Sequence, residues 1–215
     1  MKSAERKVVD MVASGSISLE DGEKLLGALK PKEASRLKIL FNPFEKLGDA
    51  AALSIALASL VLGAVLPILL PVRFDGALDV HTAPTRSSLA GSLRDLAIDW
   101  IPTILLLWAV PLAFKRRGRL FDFATGFGVA RLPLLVVAVT APLLPTSAPT
   151  TLSPTVLFIV FGLVVPCAIW FFVLLFQSFK TASGLTGGKL WAAFFIAVIL
   201  AELGSKLLLA SQSSI

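Results

Sequence analysis

Hydrophobic residues are distributed along this chain in two different ways. The first thirty residues mix charged and apolar positions at helical spacing, whereas long runs with few or no charges occupy most of the chain from residue 50 onward. Apolar side chains on one side of a helix are typical of a small helical module in water. Runs of about 20 apolar residues are long enough to cross a bilayer core of about 30 Å. The pattern therefore predicts a small soluble part followed by a membrane part.

Five apolar segments have, or nearly have, the length of a membrane span. The turn-forming stretch TSAPTTLSP separates two of them, because it cannot continue a helix. We place the spans at about residues 50–72, 96–114, 125–144, 155–179 and 189–210. The prolines inside these segments predict kinked helices. The expected fold class is all-α, a polytopic membrane protein with a five-span domain over residues 50–210.

Residues 1–31 are predicted to form a helical hairpin. Ser14-Gly15-Ser16 ends a first helix, and Ser18 begins a second with a capping-box pattern. The apolar residues of the two helices are Val8, Val9, Val12, Leu25, Leu26 and Leu29. So small a pair buries little apolar area and is marginal alone. A protein partner, a second copy or the membrane surface is expected to complete it at these six residues.

Two further stretches are predicted to lie along the membrane surface. Residues 32–49 place apolar side chains at mostly helical spacing against charged ones, with a break at Pro43, as in an interfacial amphipathic linker. Residues 86–100 show a similar pattern and are expected to form a second interfacial helix that leads into the second span.

Composition and charge place most of the chain in lipid and predict its orientation. Hydrophobic residues make up 56% of the chain and charged residues only 16%, too few for the surface of a water-soluble globule. With the N-terminus inside, sixteen of the twenty Lys and Arg residues, Arg131 among them, fall on the cytoplasmic side. The first apolar segment begins only near residue 50, so we expect an uncleaved anchor and not a signal peptide. The prediction is a multi-pass inner-membrane protein with a cytoplasmic N-terminus and an outside C-terminus.

Two ionisable residues are predicted to lie inside the last span. At about 1.5 Å per residue from Lys189, Glu202 lies about 20 Å and Lys206 about 26 Å along the helix. Two interpretations stay open: the side chains pair across one helical turn, or Glu202 lines a polar path or binds a headgroup. Arg131 and Asp122 are expected at the cytoplasmic mouth of the third span, and we assign them a structural role in preference to a functional one.

A basic run follows the second span. It consists of Lys115, Arg116, Arg117 and Arg119. Such a run is the usual positive-inside signal, and it is also a candidate contact for anionic lipid. Because the cations lie beside hydrophobic segments, membrane lipids explain the basic charge better than nucleic acid does.

Catalytic and metal-binding patterns are weak in this sequence. Asp75, Asp79 and His81 have a spacing that a divalent ion can use, but no fourth ligand lies nearby, so a solvated loop is preferred. The segment 183–189 resembles a phosphate-binding loop only superficially, because its glycine spacing is wrong and no strand precedes it. The lone Cys167 excludes a disulfide within the chain. We predict no catalytic residue, no cofactor and no metal.

Three segments resemble the YIP (Ypt/Rab-interacting protein) domain family. They are LFNPFEKL before the first span, FDFATGFGVARLPLLV in the third, and FKTASGLTGGKLWAAFFIAVIL between the fourth and fifth. Gly126, Phe127 and Pro133 stand at about the places of the family's Gly-aromatic…Pro element. The family consists of five-span proteins, known in eukaryotes for vesicle trafficking and with many prokaryotic members. Separately, AERKVVDMVASGSISLEDGEKLLGAL is similar to the SHOCT-like helical hairpins of bacterial proteins, which implies docking or oligomerisation.

The expected function is a non-enzymatic membrane scaffold or adaptor of YIP type. It would organise partner proteins or lipids through its cytoplasmic N-terminus, with a protein partner or a second copy bound at the helical hairpin. The alternative is a small transporter or lipid-translocating protein that uses Glu202 and the proline-kinked spans. A membrane enzyme ranks third, because the chain has one histidine and no carboxylate cluster in its apolar segments.

Overall fold

The computed structural model describes residues 3–29, 40–143 and 153–212. They belong to two compact units that divide between Leu40 and Phe41. The interfacial linker predicted over residues 32–49 lies partly outside the described residues, and its described part contains one 3-10 turn, Pro43–Glu45.

The first unit is a helical hairpin of two short helices, α1 (Ser3–Ala13) and α2 (Leu19–Leu29). Gly15 has φ +72°, which only glycine adopts without strain, and it turns the chain between the helices. The Ser18 hydroxyl accepts a hydrogen bond from the Asp21 N–H at 3.1 Å and donates one to the Asp21 carboxylate at 2.7 Å. The predicted cap is therefore confirmed.

The described part of the second unit contains five helices that are long and apolar enough to cross a membrane. Span one is α3 (Asp49–Leu69), span two is α4 (Leu89–Ala113), and span three joins α5 (Leu120–Ala130) to α6 (Leu132–Thr140). Span four joins α7 (Pro154–Ile159), a π-helical turn (Val160–Val164) and α8 (Val165–Ser183), and span five is α9 (Gly187–Gln212). The predicted all-α, five-span class is confirmed.

Span two is longer than the sequence indicated. The expected interfacial helix over residues 86–100 is the first part of one continuous helix, whose N-terminus is capped by the Ser88 hydroxyl accepting from the Gly91 N–H. Asp95 and Asp99 lie inside this helix, and both are buried. Because these two residues are charged, the sequence pattern indicated that this part of the helix lies at the hydrated membrane interface.

A β-hairpin, not expected from the sequence, connects spans one and two. Strands β1 (Val72–Phe74) and β2 (Val80–Thr82) pair antiparallel, with Arg73 opposite His81. Val72 and Phe74 point into the unit and are buried, and they pack with residues of span three. The β-hairpin therefore covers one end of the helix bundle, which we call the β-hairpin end. The opposite end, which carries Lys115, Arg116, Arg117, Arg119, Lys180 and Lys189, is the basic end.

Span three lies at the centre of the bundle. It is 67% buried within the unit, against 33% or less for each of the other four spans. The prediction that Arg131 lies at the mouth of this span is wrong: Arg131 is at the junction of α5 and α6, in the middle of the span. Pro133 lies two residues after Arg131, and a proline there lacks the N–H that a continuous helix would use.

Candidate functional site

The helical hairpin exposes part of the apolar surface that the sequence assigned to docking. Val8 is buried and Val12 half-buried, because α1 packs closely on Gly22 of α2, where any larger residue would overlap the Val12 side chain. Val9 is 44% exposed and Leu25 43% exposed. Leu26 is half-buried, and the side chain of Leu29 lies outside the described residues. The two helices thus bury one seam and leave an apolar residue of each helix exposed.

At the β-hairpin end of the second unit, Glu202 binds the β-hairpin. Its Oε2 accepts a hydrogen bond from the Leu78 N–H at 3.0 Å, and its Oε1 lies 3.2 Å from the Lys206 Nζ. Lys206 also reaches the Asp79 carboxylate at 3.3 Å. Both carboxylate oxygens of Glu202 therefore have protein partners. These contacts favour the interpretation of Glu202 and Lys206 as a structural pair, extended by the β-hairpin.

A fully buried ion pair lies beneath the β-hairpin. Asp99 of span two is 0% exposed and Arg131 of span three 2% exposed, and the Arg131 Nη1 lies 2.5 Å from the Asp99 Oδ2. The Arg131 Nη1 also donates to the Ala77 carbonyl at 3.4 Å. Charged residues inside a membrane are costly, so this pair is the most distinctive polar feature of the bundle.

Aromatic rings enclose the arginine. The guanidinium carbon of Arg131 lies 5.0 Å from the ring centre of Phe74 in β1 and 5.4 Å from that of Phe127 one turn earlier in span three. A cation over an aromatic face is stabilised by the ring quadrupole, more so when it is shielded from water. Arg131 therefore ties span three to span two through charge and to the β-hairpin through the Phe74 ring and the Ala77 carbonyl.

Sequence reasoning missed the role of Asp99 and misplaced Arg131. The available signal was a pair of acidic residues, Asp95 and Asp99, one helical turn apart in a segment that also ends in a long apolar run. Asp95 has two arginine neighbours, Arg94 at 2.9 Å and Arg73 of β1 at 3.5 Å. Each carboxylate of span two therefore has an arginine partner from a distant part of the chain: Arg73 of β1 for Asp95, and Arg131 of span three for Asp99.

The candidate metal ligands of the β-hairpin do come together. One ligand atom each from Asp75, Asp79 and His81 lies within 4.8 Å of the others. Asp79, however, already has Lys206 as its counter-charge. A bound cation would have to compete with that ammonium group, so we assign no metal to this cluster.

The basic run at the other end of the bundle divides into two parts. Arg119 pairs with Asp122 at 2.7 Å and with Asp49 at 3.3 Å. The hydrogen bonds that its guanidinium donates to these carboxylates, that to Asp122 foremost, raise the pKa of Arg119 above its ordinary value. Lys115, Arg116 and Arg117 instead line an open groove between the ends of spans two and four. The structure thus separates one arginine from the other three cations predicted to contact lipid.

We expect Glu202→Gln to change stability little and Glu202→Leu to destabilise the second unit by about 1–3 kcal/mol. Glutamine keeps an acceptor for the Leu78 N–H, whereas leucine leaves that donor without a partner in a half-buried site. Thermal unfolding of the full chain in detergent measures both variants. A Glu202→Gln variant as unstable as Glu202→Leu would contradict the proposed anchoring of the β-hairpin.

Comparison of the chain with protein-family models, with curated proteins and with solved structures gives no match.

Proposed function

We propose that this protein is a non-enzymatic membrane scaffold of YIP type whose N-terminal helical hairpin joins copies of the chain at the cytoplasmic face of the inner membrane. The observation that carries the proposal is the helical hairpin itself. It is a compact unit separate from the membrane unit, yet it leaves Val9, Met11, Leu19 and Leu25 exposed. Exposed apolar residues on a module this small indicate a protein-binding surface.

The orientation follows from the distribution of positive charge. Residues 1–49 contain nine Lys and Arg residues, and the loops at the basic end contain six more. Only Arg73, Arg86, Arg94 and Lys206 belong to the β-hairpin end, and Arg131 no longer counts for either side because it is buried within span three. Fifteen cations against four favour a cytoplasmic basic end. In this orientation the N-terminus is cytoplasmic and the C-terminus is outside.

A second copy is the occupant that best fits the exposed surface of the helical hairpin. Two helices of eleven residues each cannot enclose a core, whereas two such pairs form a four-helix arrangement with a shared apolar interior. Charge favours one arrangement of the two copies. α1 has two acidic and two basic residues and no net charge, whereas α2 has three acidic residues and one lysine. A two-fold pairing that places α1 of one copy beside α2 of the other keeps the two acidic helices apart.

The polar groups of the membrane unit support a structural role more than transport or catalysis. Glu202 is held by Leu78 and Lys206, and Asp99 is held by Arg131. A transported proton or ion requires a group that can change its partner, and a general acid or base must reach a substrate. Both carboxylates instead join the β-hairpin or a neighbouring span to the bundle.

We expect the full chain to be oligomeric in detergent, and Val9→Glu and Leu25→Glu each to weaken self-association at least about tenfold. Each substitution places a charge where an apolar side chain worth about 1.5–3 kcal/mol would be buried between copies. Light scattering coupled to size-exclusion chromatography, over a range of protein concentrations, measures the change.

Asp10→Ser is the matched control, because Asp10 is exposed on the polar side of α1. Limited proteolysis of the N-terminal residues verifies that the two glutamate variants keep the helical hairpin folded. An unchanged oligomeric state in both variants, or a chain without residues 1–31 that associates as the full chain does, would refute the proposed self-association.

A further inference from the structure

The groove at the basic end combines charge with an apolar wall. Its lining includes Lys115, Arg116 and Arg117 from the loop after span two, Trp108 and Leu112 from the helix before it, and residues 181–184 at the end of span four. The lining contains three cations and no acidic residue. The groove is open and has a volume of about 1100 Å³, which is large enough for a lipid headgroup and its glycerol.

Lys115 occupies a backbone conformation that normally belongs to glycine. Its φ is +58°, and it is the one non-glycine residue with positive φ in the described part of the chain. The Lys115 N–H donates to the Leu112 carbonyl and the Arg116 N–H to the Pro111 carbonyl, the hydrogen-bond pair of a Schellman helix end. Glycine would fit this position without strain. A lysine there, despite the strain, indicates that its side chain has a use.

Among the described residues, these three cations have no acidic counter-charge. Arg119, two residues after Arg117, is paired with Asp49 and Asp122, whereas the described residues offer Lys115, Arg116 and Arg117 no carboxylate partner. The indole of Trp108 donates to the Gly118 carbonyl at 3.1 Å, which fixes both the ring and the basic loop. The Gly118 position is closely packed as well, because a Cβ there would overlap the Ala182 carbonyl. The groove is therefore preformed, and its lining combines the Trp108 indole with three cations that no described carboxylate pairs.

We propose that this groove binds the headgroup of an anionic phospholipid from the leaflet at the basic end. Lys115, Arg116 and Arg117 hold the phosphate, and Trp108 and Leu112 contact the glycerol and the start of the acyl chains. Basic residues near a membrane surface favour anionic lipid, and tryptophan is favoured at the level of the headgroups. The site is independent of the helical hairpin and of the proposed self-association.

The test is a titration of full-length protein in neutral detergent with phosphatidylglycerol, followed by native mass spectrometry of bound lipid. Removal of one groove cation is expected to weaken binding about fivefold, and removal of two about 25-fold. The variants are Lys115→Gly and the double variant Arg116→Gln with Arg117→Gln. Arg119→Gln is the matched control, because it removes an adjacent charge that lies outside the groove, and it should bind as the unmodified chain does.

Lys115→Gly also separates lipid binding from a structural role of the lysine. Glycine relieves the positive φ, so the lipid-free variant is expected to unfold at the same temperature as the unmodified chain or at a higher one. A lower unfolding temperature without lipid would overturn the proposal, because it would show that Lys115 serves the helix end. Unchanged phosphatidylglycerol binding in both groove variants would overturn it as well.

Two other probes distinguish the source of the phosphate. Phosphatidylcholine, which has no net charge, is expected to bind more weakly than phosphatidylglycerol and to lose nothing in the groove variants. Inorganic phosphate alone is expected not to compete with phosphatidylglycerol, because it lacks the apolar part that Trp108 and Leu112 contact. Equal binding of both lipids, or full displacement by inorganic phosphate, would refute an anionic-lipid site.

Discussion

Replacing Arg131 with methionine is expected to destabilise the membrane unit by about 3–5 kcal/mol, because the Asp99 carboxylate then stays buried without its counter-charge. Asp99 is 0% exposed, so neither water nor a lipid headgroup can take the place of the guanidinium without a rearrangement of spans two and three. The β-hairpin also loses the hydrogen bond from Arg131 to the Ala77 carbonyl. Thermal or denaturant unfolding of the full chain in detergent measures the loss.

Two further variants isolate the cause of this effect. In the double variant Asp99→Leu with Arg131→Met, both charges are removed together, and most of the stability is expected to return, since apolar residues of similar volume can replace a buried ion pair. Arg119→Gln breaks an exposed pair at the basic end and is expected to cost less than about 1 kcal/mol. A loss below about 1 kcal/mol for Arg131→Met alone would show that Asp99 finds another partner or becomes neutral.

This ion pair also shows where prediction from the sequence ended. The apolar runs identified five spans, because in lipid the backbone N–H and C=O groups must find their hydrogen-bond partners within a long helix. These partners are neighbours in the sequence, so the sequence alone is enough to predict such a helix. Whether a charge inside a run is tolerated depends on its partner in space. Asp99 counted against a long span two until Arg131 supplied that partner from span three. The predicted start of span two and the predicted depth of Arg131 were therefore both wrong because the partner of each charge was not visible in the sequence.

The β-hairpin escaped prediction for a different reason. Its strands have three residues each, too few for an alternating pattern to stand out, and its turn begins at Asp75-Gly76, a pair that fits many turns. Its position depends on distant contacts, such as the hydrogen bond from the Leu78 N–H to Glu202 of span five. The pairing of Glu202 with Lys206 was accessible in advance because four residues form one helical turn. The contact of Glu202 with Leu78 could not be predicted in the same way, since no local rule connects Leu78 with span five.

Close helix packing gives the second large expected effect, at Gly128 of span three. A Cβ on Gly128 would lie 2.5 Å from the Ala56 Cβ and 2.7 Å from the Ala56 Cα of span one. Backbone atoms cannot rotate away, so Gly128→Ala is expected to push spans one and three apart and to cost at least about 1–3 kcal/mol. Gly204→Ala is the control, because a Cβ there meets nothing within 4 Å and alanine favours the helix.

Gly126 lies two residues before Gly128, on nearly the opposite face of the same helix, and provides a comparison. A Cβ on Gly126 would overlap the side chain of Ser178 in span four, but it would lie 3.8 Å from the Ser178 Cα, which is ordinary contact. Ser178→Gly should therefore restore most of the stability lost in Gly126→Ala. Ala56→Gly should restore only part of that lost in Gly128→Ala, because the Ala56 Cα remains too close. Unfolding of the two pairs of variants in detergent measures how much stability each second substitution restores. Equal restoration in both pairs would contradict the prediction. It would mean that span one adjusts its position and that its contact with span three at Gly128 is not rigid.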